Sequence, residues 1–529
     1  MVSLLSASLS LIFGLAAQGP AQGAPGQGAP GQGAQGQRAQ QGTRQRQPGG
    51  PADAPAAAAA ATAPMIDIPP SVTHHTINLP TGALSYTANA AQVPLKNETG
   101  EVECQMFCVS YTKDEAATHT RPVTFAFNGG PGSATLWLHM GSLGPKRAPM
   151  NDDGSLPNPP YQAVDNMDTW LDFTDVVVVD APGTGFSRIA RPDLASKYFG
   201  IQPDIAAFTN FVKNWLTIHK RWSSPLFVAG ESYGGIRGSG LSNSLWRAGI
   251  ALNGFVSISG TSNFMTLDGM RGNDYPYIGF FPSLAACAWY HHKLAPGFKD
   301  VKTVVAAAQE FVDHTYAGAL AQGDSLTPKQ KENIAAAMSN LIGINKQYIL
   351  DSNLRVTERQ FFRELLRKEG LAIGRYDGRL VGKEELKIGE RTSGDPSDDA
   401  TTAPFTSSLN DYLETDLAIK SNIPYLNSGA VRPWTEPEGS YAETASDLRN
   451  VLSRNQHFRV LYCCGYYDLA CPLEASIYTV NHMGLDPETR SHVSFQYYPA
   501  GHMMYIEKSS REKLHEDVKK FEAACLSGK

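Results

Sequence analysis

Residues 223–235 read SSPLFVAGESYGG. The apolar run Pro225 to Ala229 ends directly in Gly230, Glu231, Ser232, Tyr233 and Gly234, and Gly235 to Trp246 is helix-compatible. Strand, tight turn and helix in immediate succession around G-x-S-x-G form the nucleophile elbow. Glycines two positions either side of the serine let strand and helix approach closely around a strained backbone. Such a turn lifts the Ser232 hydroxyl clear of the sheet edge. The competing reading, a glycine-rich turn that happens to hold a serine, does not account for the strand before it and the helix after it.

Upstream, Val123 to Phe127 reads as a strand that opens into Asn128, Gly129, Gly130, Pro131, Gly132 and Ser133. Three glycines so close together let backbone N–H groups point into one space, as an oxyanion hole requires. A phosphate-cradling loop would need a G-K-[ST] ending, which is missing. The stretch DVVVVD, 175–180, reads as a strand core buried on both faces of a parallel sheet, and it too runs into a glycine-rich turn, APGTGFS at 181–187. Ile205 to Lys220 has helical apolar spacing, and the elbow strand follows. Alternating strands and helices predict an α/β fold around a mostly parallel central sheet flanked by helices.

Downstream, Leu252 to Ile258 is another apolar strand, after which the pattern changes. From 275 to 432 the chain is helical and charged, as in FFRELLRKEG at 361–370, and no clear apolar strand interrupts it. This predicts a mainly helical cap inserted over the C-terminal edge of the sheet, where open α/β sheets bind ligands. It divides a hydrolase domain into a first part, 65–274, and a second part, 433–529. The sheet resumes with His457 to Cys464, followed by Gly465, Tyr466, Tyr467 and Asp468. A last strand, His492 to Tyr498, runs into Pro499, Ala500, Gly501 and His502. An acid and a base just past strand C-termini, in the order Ser232, Asp468, His502, follow the order of α/β-hydrolases. Asp180 is the rival acid, but it precedes the serine.

The N-terminal 64 residues read differently. Leu4 to Ala17 is weakly apolar and followed by small residues, which suits residues 1–17 as a secretory signal, although no Lys or Arg precedes the apolar core. Residues 18–64 are Gln, Gly, Ala and Pro repeats too poor in large apolar groups to order themselves, so a disordered tether is expected. Glycine does not recur at every third position, which excludes a collagen helix.

With 45 basic and 51 acidic residues, the net charge of −6 gives no footprint for nucleic acid. No stretch has the length of a membrane-spanning helix. The seven cysteines stand at no metal-finger spacing, and nothing else asks for a metal or cofactor. Cys104 and Cys108, four apart on one predicted strand, lie roughly 13 Å from each other and cannot bond without breaking it.

FNGGPGS at 127–133, GTGFS at 183–187, GESYGG at 230–235, GYYDLAC at 465–471 and AGHMMY at 500–505 together resemble the successive signatures of the serine carboxypeptidase family. Through FPSLAACAWYH at 281–291 the chain is most similar to bacterial members. The resemblance implies the α/β-hydrolase fold and an enzyme that removes C-terminal residues from peptides; the signal reading of residues 1–17 adds export. Ser232 is then the nucleophile, His502 the general base and Asp468 its orienting partner. Backbone N–H groups of Gly130 and Tyr233 form the oxyanion hole, and Asn128, Gly129, Glu231 and Met503 contact a peptide substrate with a free C-terminus. An acidic Glu231 beside a bound carboxylate requires one shared proton, which raises an apparent pKa. Family members usually carry a second glutamate where this chain has Ser142, and a tryptophan where it has Ala126. A related serine esterase or acyltransferase on the same fold is the second expectation, and an inactive peptide-binding homologue the third.

Overall fold

The computed structural model describes residue 65 and residues 67–116, 120–436 and 439–527. The expected signal segment and tether, residues 1–17 and 18–64, lie outside the described residues.

Nine strands build the central sheet: β1 (Ser71–Leu79), β2 (Gly82–Lys96), β3 (Val102–Lys113), β4 (Val123–Phe127), β5 (Asp175–Val179), β6 (Leu226–Glu231), β7 (Gly254–Ile258), β8 (Arg459–Gly465) and β9 (Val493–Tyr498). They lie in the order β1-β2-β3-β5-β4-β6-β7-β8-β9, with a two-residue strand, Arg188–Ile189, paired to β3. From β5 to β9 every pairing is parallel. β1, β2 and β3 add an antiparallel edge. The valines of β5 are buried on both faces, as DVVVVD predicts, but the strand has an antiparallel neighbour in β3 and a parallel one in β4.

Period-two alternation distributes the strand residues between two cores. Phe125, Phe127, Val177, Val179, Val228 and Phe255 face one core, packed with Phe208 and Trp215 of helix α1 (Ile201–His219) and Leu241 of helix α2 (Gly234–Arg247). Ala126, Val176, Val178, Ala229, Val256 and Leu461 face the other. Between β7 and β8 lie helices α3 (Tyr275–Tyr290), α4 (Val301–Phe311), α5 (Pro328–Ile342), α6 (Pro396–Thr415) and α7 (Ala445–Arg454). Leu409 and Tyr412 of α6 cover the second face, and so do Leu514 and Val518 of the C-terminal helix α8 (Lys508–Ser527). The sheet is therefore sandwiched between helices, the architecture of the α/β-hydrolase fold.

The stretch read as free of strands holds one short antiparallel pair, Leu371–Ile373 with Val381–Lys383. Three-residue strands carry too little alternation to register as a period. All seven cysteines are free thiols, six of them buried, and Cys104 and Cys108 both lie on β3. Among the described residues no helix is long and apolar enough to cross a membrane.

Register aligns the strand ends. Phe127 of β4 pairs with Gly230 of β6, Glu231 with Ile258 of β7, Ile258 with Cys463 of β8, and Gly465 with Tyr498 of β9. The loops that follow β4, β6, β8 and β9 consequently open along one edge.

Candidate active site

Ser232 occupies the turn between β6 and α2 with a left-handed backbone, φ +62°, rare for a residue with a Cβ. Its N–H donates to Ile258 O (3.1 Å), and Gly235 N–H donates back to Ser232 O (2.8 Å). Of the two flanking glycines, Gly230 is the one that close packing requires. A Cβ on Gly230 would lie 2.4 Å from Gly234 O and 2.7 Å from the Phe127 ring. The serine is half-buried, whereas its neighbours Glu231 and Tyr233 are buried.

Asp468, three residues past β8, is fully buried. Its Oδ1 accepts the N–H groups of Ala470 and Cys471 (both 2.8 Å), and its Oδ2 is hydrogen-bonded to His502 Nδ1 at 2.8 Å. Burial disfavours the charged imidazole, but the Asp468 carboxylate outweighs it and raises the His502 pKa. Ser259 Oγ donates to His502 O (2.7 Å), which ties the His502 loop to the end of β7.

Asp180 serves another loop. Its Oδ1 accepts Thr135 N–H and the Tyr425 hydroxyl (both 2.9 Å), its Oδ2 faces Phe186 N–H, and among the described residues no histidine is bonded to it. Burial pushes its carboxyl up to about 6.

The loop after β4 is pressed onto the elbow. A Cβ at Gly129 would stand 2.4 Å from Tyr233 N and 2.6 Å from Glu231 O, so only glycine allows the contact. Among the described residues no protein acceptor pairs with the backbone N–H of Gly130 or of Tyr233. Asn128 is buried and tied to several segments. Its N–H donates to Thr135 Oγ1 (3.2 Å), its Oδ1 accepts Leu138 N–H (2.9 Å), and its carbonyl accepts Arg237 Nη1 (2.5 Å). Arg237 on α2 is in turn held by Asp204 on α1 (2.7 Å), a buried ion pair. Asn128 Nδ2 then donates to Glu231 Oε1 (2.9 Å), and the Tyr505 hydroxyl donates to Oε2 (2.5 Å). Burial is the main reason the Glu231 carboxyl is pushed up to about 7.

Ser142 lies on a buried helical turn, His139–Leu143, and its hydroxyl has no hydrogen-bond partner among the described residues. The ring of Tyr505 lies over the same turn, since a Cβ on Gly141 would stand 2.2 Å from it. Met503 is buried next to His502. The fold thus gathers Ser232, Asp468, His502, Asn128, Gly129, Gly130, Glu231, Tyr233 and Met503 along one edge. Sequence reasoning missed Tyr505 as a partner of Glu231, although AGHMMY contains it, and it missed the Asp204–Arg237 support, for which no local signal exists. Among the described residues no cluster of three or more His, Cys, Asp or Glu could hold a metal ion.

Residues 93–514 match the family model described as serine carboxypeptidase. The chain belongs to the serine carboxypeptidase family. Serine-type carboxypeptidase F of Aspergillus niger is 35% identical over 117 residues, 21% of this chain and 19% of that protein. The pheromone-processing carboxypeptidase KEX1 of Cryptococcus gattii is 28% identical over 200 residues, 37% of this chain and 28% of that protein. Serine carboxypeptidase-like 8 of Arabidopsis thaliana is 29% identical over 154 residues, 27% and 34% of the two chains. The chain therefore spans about a fifth to a third of the length of these curated relatives. Among solved structures, the proline iminopeptidase of Mycobacterium smegmatis is similar at TM-score 0.36 and 15% identity, covering 83% of this chain and 100% of that one.

Proposed function

We propose that this carboxypeptidase-family protein removes C-terminal residues from peptides through a Ser232–His502–Asp468 triad and an acyl-enzyme. The observation that carries the reading is the buried Asp468–His502 pair, 2.8 Å apart, on the same sheet edge as a serine held at φ +62°. His502 takes the proton of Ser232 as Oγ attacks the scissile carbonyl and returns it to the leaving amine, while Asp468 fixes the imidazole's tautomer. The N–H groups of Gly130 and Tyr233 receive the oxyanion, and water then repeats the attack on the acyl-enzyme. Glu231 and Asn128, with Gly129 and Met503 beside them, receive the substrate's C-terminal carboxylate. A carboxyl whose pKa stands at about 7 holds the proton that such a pairing needs below neutrality. The helical segment 275–432 serves as the cap of the site, and the apolar stretch Leu4 to Ala17 supports export.

A second reading, an esterase or acyltransferase, is favoured by Ser142, an unpartnered hydroxyl where the family usually carries a second carboxylate. Two measurements separate the readings. Fluorophosphonate labelling is expected in the wild type and lost in Ser232→Ala, with turnover falling about 10⁴-fold or more. Labelling that survives the substitution overturns the triad. Blocked dipeptides with a free C-terminus are expected to outperform their amides and esters, and the reverse order selects the second reading.

A further inference from the structure

The segment between β7 and β8 sends one turn, residues 374–380, from its short strand pair onto the two loops that carry Asp468 and His502. Those loops leave different strands, and past the end of the sheet they bond each other through Tyr466 N–H to Tyr498 O (3.0 Å) and Tyr467 N–H to Ala500 O (3.1 Å). Further bonds run through the turn. Leu469 N–H donates to Arg375 O (3.1 Å) and Gly378 N–H to Tyr467 O (3.0 Å), so both neighbours of Asp468 are held. On the other loop, His502 N–H donates to Tyr376 O (2.5 Å), Gly501 N–H to Asp377 Oδ2 (3.2 Å), and Arg379 Nη1 to Pro499 O (2.9 Å). The Tyr376 ring lies 5.3 Å from the imidazole. Asp377 and Arg379 are locked to each other by a largely buried ion pair at 2.6 Å. The approach is close enough that a Cβ on Gly501 would stand 2.2 Å from Tyr376 O and 2.6 Å from Asp377 Cα. The turn is itself anchored from behind, by Arg375 N–H to Asp395 Oδ1 (3.0 Å), Tyr376 N–H to Ser397 Oγ (3.0 Å), and the His291 ring to Gly378 O (2.7 Å).

We propose that the 374–380 turn is a positioning element for the Asp468–His502 pair, with Asp377 and Arg379 as its positioning residues. The proposal rests on the triad reading above. Five hydrogen bonds from one turn to two loops fix the loops' separation, and through it the acid–base distance, whose displacement by an ångström costs catalysis steeply.

The test compares Asp377→Asn and Arg379→Gln with wild type, using a blocked dipeptide substrate and normalising kcat to sites titrated with fluorophosphonate. In both variants kcat per site is expected to fall about tenfold while KM changes less than about twofold. The acid limb of kcat/KM reports the free-enzyme base, here His502, which is faced by Asp468, Glu231 and Arg375. Loosening the pair weakens the contribution of Asp468, so the limb moves to lower pH in both variants. A direct effect of charge would move it oppositely, because one substitution removes a negative charge and the other a positive one. Limbs that diverge, or a kcat per site equal to wild type with unmoved limbs, overturn the proposal even if Tm falls. Failure of the triad reading shows up elsewhere, as absent labelling in the wild type.

Discussion

Two aspartates sit just past strand C-termini on the same sheet, Asp180 after β5 and Asp468 after β8, and both are buried. Their surroundings separate them. Asp180 receives a backbone N–H from Thr135, another from Phe186 and the hydroxyl of Tyr425, three donors from three segments, so its carboxylate holds loops together. Asp468 spends one oxygen on the N–H groups of Ala470 and Cys471 and keeps the other for a histidine. Location at a strand end is common to both. The identity of the donor that arrives from elsewhere in the chain divides a structural carboxylate from one able to orient a base.

The comparison can be broken most sharply at Asp468. Asp468→Asn is expected to cut kcat about 10⁴-fold with Tm nearly unchanged, because the amide keeps the shape but selects the wrong tautomer of His502. A loss below about tenfold would make Asp468 another Asp180. The converse substitution, Asp180→Ala, strands buried donors and is expected to cost about 1–3 kcal/mol in urea unfolding while leaving kcat per labelled site within a few-fold of wild type. Its pH signature also has a defined sign. A folded pKa of about 6, above the ordinary carboxyl value of 3.8, means the native state holds the proton more tightly than the unfolded chain. Asp180 therefore makes stability fall as pH rises from about 4 to 6, a slope that Asp180→Ala removes.

A smaller effect comes from a third buried carboxyl, Glu231. For a blocked dipeptide with a free C-terminus, KM is expected to rise above about pH 7 as the shared proton is lost, and to stay flat for the C-terminal amide. Identical profiles for acid and amide remove Glu231 from substrate recognition. Tyr505→Phe deletes a donor that favours ionised Glu231, so the rise in KM moves upward, by about one pH unit or less.

The parallel strands and their loops were legible because each is a compact apolar run that passes into a turn rich in glycine or proline. Val123–Phe127 is bounded as read, and the helix read over Ile205–Lys220 begins at Ile201 because Gln202, Pro203 and Asp204 interrupt the apolar spacing. The elbow was legible because steric demand writes glycines at fixed offsets. The contacts that complete the site were not. Tyr505 reaches Glu231 across 274 positions, and Gly501 meets Asp377 across 124, distances at which no local pattern survives. The edge strands β1 and β2 also passed unread, since neither forms an uninterrupted apolar run: the exposed face of β1 carries Val72, His74 and Thr76.

The 374–380 turn has a consequence for engineering. Segments inserted above a catalytic sheet are the usual material for altering substrate preference by exchange between relatives, on the assumption that the hydrolytic machinery beneath is untouched. Under the proposed triad that assumption fails at seven residues, because the same segment delivers bonds to the loops that carry Asp468 and His502. A chimera that replaces the helices but retains Gly374 to Leu380 together with Asp395 and Ser397 keeps chemistry and preference as separable variables. One that exchanges the whole segment changes both at once.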